Sequence, residues 1–407
     1  MMSTQRRLWL FILLLGILLL GLTDVQIISP ILPKLALDFS VSPAAMSAAV
    51  SAYATAAALW ALVVGPLSDR LGRLIFLRAA TLVLAGAALI AYFALHFQHY
   101  VVARVLAGFA GGTISACVIA QIADLFDYSA RGRVMGWVGA IYFIAAVIAV
   151  PLGAWITAAW GWRTLYLLFM VLALIFGLLA QPALMTNSNK PDYPNRPATG
   201  NAFFHLKALR QQLQNYPRYL RRRATLLGLL LAATISAAVS GLVTYLGLWL
   251  TSAFGMAVGT IGFVFMLIGA ASVIGALGGG WLADRLGKRR MIAFSSLLLA
   301  LVLLAVKFVQ TRASVFLFCA VGGLAMALRE GPFQALISEL VQANERGAYI
   351  ALRNATSQLA IAAAAAICGL LFERLGFYAV AYFAAGCSVV AGGLVLWIAE
   401  PMDIKNF

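Results

Sequence analysis

The sequence predicts an all-α membrane protein in which twelve transmembrane helices form two pseudo-symmetric six-helix halves. Three observations predict it. Of the 407 residues, 63% are apolar and 10% charged, whereas a soluble chain carries about a quarter charged residues. The apolar residues fall in runs of roughly 20, the length that crosses a bilayer as a helix. A charged hairpin between two such runs, Gly65 to Arg73 (Gly-Pro-Leu-Ser-Asp-Arg-Leu-Gly-Arg), also returns as Gly280 to Lys288 (Gly-Trp-Leu-Ala-Asp-Arg-Leu-Gly-Lys), with Asp69 and Asp284 standing 215 positions apart.

The first run begins like a signal peptide, with Arg6 and Arg7 ahead of Leu8 to Leu22. No small-x-small cleavage site follows, and apolar residues continue past Asp24 to Leu37, so an uncleaved first span over 8–32 is expected. Length and hydropathy place the others at 43–66, 74–95, 99–122, 133–158, 162–182, 223–250, 258–282, 291–309, 313–338, 347–371 and 376–399. The chain thus divides into a first half (1–182), a linker (183–222) and a second half (223–407). Pro182, Pro191, Pro194 and Pro197 keep the start of the connection extended. From Ala202 to Leu220, Phe203, Leu206, Leu209, Leu213 and Tyr216 share one helical face, with Lys207 and Arg210 off it. An amphipathic helix lying on the membrane surface, covering the floor of the bundle, is expected there.

Charge sets the orientation. With the N-terminus inside, the inner segments hold 22 Lys and Arg against 5 outside, so both termini are expected to be cytoplasmic and the protein to be multi-pass in the cell membrane. The net charge of +16 is thereby a matter of topology, and no nucleic-acid partner is expected.

The repeat extends beyond the hairpins. At the same offset Phe39 matches Phe254, Asp124 matches Glu339, Arg131-Gly132 matches Arg346-Gly347, and Gly161 matches Gly376. Arg73 is placed to pair with Asp124, and Arg285 or Lys288 with Glu339. These pairs read either as latches at the inner face or as loop charges that only set topology.

Several chemistries find no residues. Cys117, Cys319, Cys368 and Cys387 sit in apolar runs without ligand spacing. The three histidines, His96, His99 and His205, fall in loops or at the very start of a span, so neither a metal nor another cofactor is expected. A membrane enzyme would need a convergent cluster at depth, and none is present. There is no Gly-x-x-x-x-Gly-Lys-Ser/Thr loop for ATP.

The ionisable residues inside spans are the candidates for function. Asp24 costs at least about 2.5–3.5 kcal/mol to insert at mid-span. It is expected to couple protons or meet substrate charge, or else to pair structurally with Arg104. Arg104, one turn into span 4, either reaches inward to the depth of Asp24 or snorkels out. Arg329 and Glu330 precede Gly331-Pro332 in span 10, and neighbours on a helix point about 100° apart. One of them lines a cavity, or Arg329 forms an inter-helix salt bridge. Gln26, Tyr142, Ser236, Ser240, Thr244, Tyr245, Asn354 and Gln358 are further polar candidates.

Together these motifs resemble the major facilitator superfamily over essentially the whole chain. Gly65-x-Leu67-x-Asp69-Arg70-x-Gly72-Arg73 is similar to the family signature between helices 2 and 3, with Leu74 where a lysine is usual. Arg104-x-x-x-Gly108 with Gly111-Gly112 resembles the helix 4 signature, with Ala107 for glutamine. Asp24 followed by Pro33 resembles the helix 1 signature of drug–proton antiporters. Pro151-Leu152-Gly153 loosely resembles the antiporter motif, and helix 5 on to Gly161-Trp162-Arg163 is similar to the sugar- and nucleoside-efflux branch. The resemblance implies that helices 1, 4, 7 and 10 line a central path. It places Asp69 against the start of helix 11 near Gly347, and the repeat places Asp284 against the start of helix 5 near Arg133. It implies a secondary transporter, monomeric in the bilayer, that exchanges protons for a small organic molecule by rocking its halves. Uptake, a lipid-like substrate and a non-transporting sensor stay open as alternatives.

Overall fold

The computed structural model describes residues 4–126, 128–180, 216–342 and 345–398, with the side chains at 4, 66, 69, 70, 123 and 128–133 outside that description. Among the described residues there are only helices, and twelve are long and apolar enough to cross a membrane. Spans 1–6 are Gln5–Gln26, Pro43–Gly65, Arg73–Tyr92, Phe97–Ile122, Val134–Trp160 and Trp162–Leu179. Spans 7–12 are Arg223–Phe254, Val258–Leu286, Lys288–Phe308, Arg312–Glu339, Arg346–Leu375 and Phe377–Leu396.

The repeat reappears in backbone and side-chain geometry. Gly72 (φ 106°) and Gly287 (φ 88°) turn spans 2 into 3 and 8 into 9, and Gly161 (φ 86°) and Gly376 (φ 79°) turn spans 5 into 6 and 11 into 12. Each is a left-handed position where a side chain is strained. Arg73 bonds Asp124, and Lys288 bonds Glu339. Each ion pair ties two spans of one half, 3 to 4 and 9 to 10, so neither crosses between halves. Arg285 lies instead over the Trp281 ring, 3.9 Å from its centroid. Asp284 is exposed and makes no ion pair among the described residues. The expected contacts of Asp69, Arg70 and Arg133 fall outside the described side chains. So does most of the expected surface helix; its last stretch, 216–221, is helical. There Tyr216 and Tyr219 are buried against Ile337 and Tyr349 of the second half.

Prolines interrupt the regular helix in three spans. Span 1 is two helices, Thr4–Gln26 and Ile28–Asp38, so it runs further than expected and bends at Ile27. Pro30 has no N–H for the Gln26 carbonyl and its ring crowds that carbonyl, which accounts for the break. Span 5 carries a π-helical turn, Ala145–Ala149, just before Pro151. Span 10 is interrupted at Leu328–Arg329, four residues before Pro332.

The halves meet most closely on the side away from the 65–73 and 280–288 hairpins, called here the far side. Ser29 Oγ of span 1 donates to the Val243 carbonyl of span 7. Pro33 leaves the Ser29 carbonyl without its helical donor, and this oxygen packs on Gly247, where an added Cβ would lie 2.2 Å from it. Ser51 Oγ donates to the Ala362 carbonyl at 2.7 Å. The Ala44 amide, in the first turn of span 2, donates to Glu373 Oε2 at 3.1 Å, so a carboxylate of one half caps a helix of the other. Gly262 and Gly369 likewise admit Pro151 and Ala44 across the interface.

Candidate functional site: a central cavity beside a buried Asp24–Arg104 pair

Between the halves lies a cavity of about 350 Å³. Spans 1, 2, 4, 7, 10 and 11 line it. Its walls are mainly apolar, including Ile28, Val50, Ile235, Val239, Val243 and Ile361. Gln26, Ser236, Ser240, Thr244 and Gln358 supply polar groups, and Arg104 and Glu330 are the charged residues of the lining. The far-side contacts close one end. Toward the hairpin side Glu330, Gln334 and Asn354 are exposed and Tyr142 is 40% exposed.

Asp24 is 3% exposed and Arg104 2%. One guanidinium nitrogen, Nη1, donates to both carboxylate oxygens, at 3.0 Å and 2.9 Å. The Arg104 guanidinium also lies over the Tyr53 ring, 4.5 Å from its centroid, while its buried Nε has no partner among the described residues. Behind the pair, the Tyr100 and Tyr166 hydroxyls share a hydrogen bond of 2.7 Å. A void of about 10 Å³, large enough for one water, is lined by Asp24, Arg104 and Tyr166. Asp24 therefore adjoins this void and meets the main cavity only through Arg104. The glycines after Arg104 bring span 4 against span 2: a Cβ at Gly108 would lie 2.4 Å from the Tyr53 carbonyl oxygen, and one at Gly112 3.0 Å from that of Ala57.

Of the ionisable pair in span 10, Glu330 faces the cavity. Arg329 is 1% exposed and donates to Ser296 Oγ at 3.1 Å, with Nη2 unpartnered. This replaces the salt bridge expected for Arg329 by a bond to a hydroxyl of span 9. Gln26, Ser236, Ser240, Thr244 and Gln358 line the cavity as expected. Tyr245 does not: it is fully buried and donates to the Ala365 carbonyl at 2.8 Å. Thr244 takes the cavity face, and the next residue is rotated about 100° from it. Tyr142 and Asn354 stand beyond the lining, toward the hairpin side. Arg353, counted by charge to the inner surface, is half-buried within span 11 and bonded to Gln334 at 2.9 Å. The wall residues Ser29 and Tyr53 were not singled out by the sequence, since neither stands out by type.

The family model for the Major Facilitator Superfamily matches residues 13–258 and 229–406. The chain is 27% identical to the uncharacterized MFS-type transporter YceJ of Bacillus subtilis, over 91% of this chain and 90% of that protein. It is 24% identical to the transcription regulatory protein OpdE of Pseudomonas aeruginosa, over 84% and 82%. A shorter match, 27% identical over 38% of this chain and 29% of the relative, is to the multidrug transporter protein MdtP of Bacillus subtilis. Among solved structures, a bacterial homolog to the human lysosomal transporter Spinster, inward-facing and unoccupied, superposes with a TM-score of 0.71. It is 14% identical, with 98% of this chain and 96% of that one covered. Twelve apolar helices in two six-helix halves, the paired turns and hairpins, and a family match along nearly the entire length lead to one conclusion: this multi-pass membrane protein belongs to the major facilitator superfamily.

Proposed function

We propose that this protein is a proton-coupled exporter of small organic molecules in the cell membrane, working by alternating access with both termini cytoplasmic. The observation that carries the reading is the buried Asp24–Arg104 pair, of which Arg104 lines the cavity. A carboxylate and a guanidinium out of water are tolerated only while they compensate each other. A proton on Asp24 removes the compensation and leaves the Arg104 charge at the cavity edge, where Nε already lacks a partner. The protein then lowers its energy by a rearrangement that re-solvates Arg104 or re-pairs it. Proton binding is thus converted into a preference for one facing of the halves, which is how a ligand shifts a two-state equilibrium. The cavity between the repeats is the substrate site. The 22-to-5 charge bias supports the orientation, and the match to MdtP, named a multidrug transporter, supports export.

The test is transport into proteoliposomes under an imposed pH gradient, with a panel of organic cations, anions and neutral compounds. Wild-type protein should accumulate a compound against its gradient. Asp24→Asn should keep downhill flux and lose the gradient's effect on accumulation. Unchanged proton dependence in that variant would remove Asp24 from the coupling. The likeness to OpdE, named a transcription regulatory protein, favours a second reading as a ligand sensor. That reading is supported if compounds bind and none is moved.

A further inference from the structure

The second polar group at the cavity is a chain of three side chains in the second half. Gln334 Nε2 donates to Glu330 Oε1 at 2.9 Å, and Arg353 Nη2 donates to Gln334 Oε1 at 2.9 Å. The amide therefore stands between a carboxylate and a guanidinium. Its orientation is fixed by both neighbours, because reversing it would set oxygen against carboxylate and NH₂ against guanidinium. The Arg353 guanidinium also lies over the Phe333 ring, 5.6 Å from its centroid. Tyr142, from the opposite half, lies within electrostatic reach of both Glu330 and Arg353.

The consequence is a difference between the two charged residues of the cavity wall. Two charged residues line the cavity, Arg104 and Glu330. Arg104 is compensated by Asp24. Glu330 forms no ion pair among the described residues, because Gln334 separates it from Arg353 and Arg329 bonds Ser296 instead. Neither Arg329 nor Arg353 lines the cavity. A ligand in this space meets apolar walls, a few hydroxyls and amides, and one carboxylate that forms no ion pair of its own among the described residues.

We propose that Gln334 is a positioning residue that holds Glu330 toward the cavity and out of an ion pair with Arg353, and that the cavity thereby selects compounds with one cationic group on an apolar body. The proposal rests on the reading of this cavity as the substrate site. Removing the Gln334 amide lets Arg353 close on Glu330, which cancels the carboxylate without deleting it. Removing Arg353 as well frees the carboxylate again.

The experiment measures binding by equilibrium dialysis to the full chain in nanodiscs, using three compounds of one shape: 4-phenylbutylamine, 4-phenylbutanol and 4-phenylbutyrate. The amine should bind best. Glu330→Gln should weaken the amine about 10- to 100-fold, the range for a hydrogen bond to a charged group, and leave the alcohol within about threefold. Gln334→Leu should weaken the amine about tenfold, and Gln334→Leu with Arg353→Met should restore it, which a merely structural role for Gln334 would not do. Equal binding of amine and alcohol, or no rescue in the double variant, overturns the proposal and leaves the cavity reading intact. A Ser240→Trp variant that fills the cavity separates the two. If amine binding survives it unchanged, or if none of the three compounds binds wild-type protein, the cavity reading fails and the proposal with it.

Discussion

Replacing Arg104 with methionine should destabilise the protein by about 3–5 kcal/mol, the usual cost of removing one partner from a buried ion pair. Methionine keeps much of the stem's packing, so the loss is electrostatic: Asp24, 3% exposed, is left without the nitrogen that holds both its oxygens. Among the described residues no other basic group bonds that carboxylate. Neighbouring Tyr53 is turned along span 4 toward Gly111, and the Tyr100 and Tyr166 hydroxyls bond each other. Adding Asp24→Asn to the same chain should recover most of the stability, because an amide with no charge replaces a stranded one. Thermal unfolding of the purified single and double variants measures this directly. If the Arg104 variant melts with wild-type protein, the pair is solvated in a way its burial denies.

Gly247→Val should trap the opposite facing. A Cβ at this position would stand 2.2 Å from the Ser29 carbonyl oxygen and 3.0 Å from its carbon, and backbone atoms cannot swing aside as a side-chain end can. Overpacking of this kind costs about 1–3 kcal/mol. Here the cost falls only on the arrangement in which spans 1 and 7 touch on the far side. The equilibrium between facings should therefore move by about 5- to 150-fold while the rest of the fold is undisturbed. Spin labels at Leu37 and Leu375, both exposed on the far side at 71% and 68%, should report a longer distance in the variant. An unchanged distance distribution would mean that this contact does not close the far side.

Much of this was legible in the sequence. The run lengths gave the spans, and the offset of 215 gave the halves and both hairpin ion pairs, since opposite charges recurred in one register. Asp24 and Arg104 stood out because charge is rare in an apolar run. What stayed hidden is a matter of rotation and of distance along the chain. Tyr245 and Thr244 are neighbours, yet one packs in the second half and the other faces the cavity, and no local signal separates them. Arg353 looked like a surface charge seven residues into span 11; only the approach of span 10 puts Gln334 beside it. Glu373 lies past the expected end of span 11 at residue 371, and its role as a cap on span 2 depends on a contact 329 positions away.

The coupling of Pro33 to Gly247 through the Ser29 carbonyl has a consequence for descent. The proline leaves the Ser29 carbonyl bare, and the glycine gives that oxygen somewhere to lie. Pro332 and Gly279 repeat the arrangement inside the second half, with the Leu328 carbonyl 2.0 Å from where a Cβ would be. In each couple, neither residue has this job without the other. A lineage that loses the proline restores the helical bond and relaxes the demand for glycine; one that gains a side chain at the glycine can no longer house the bare oxygen. Each couple, though distant in the chain, should therefore be inherited and lost as one character.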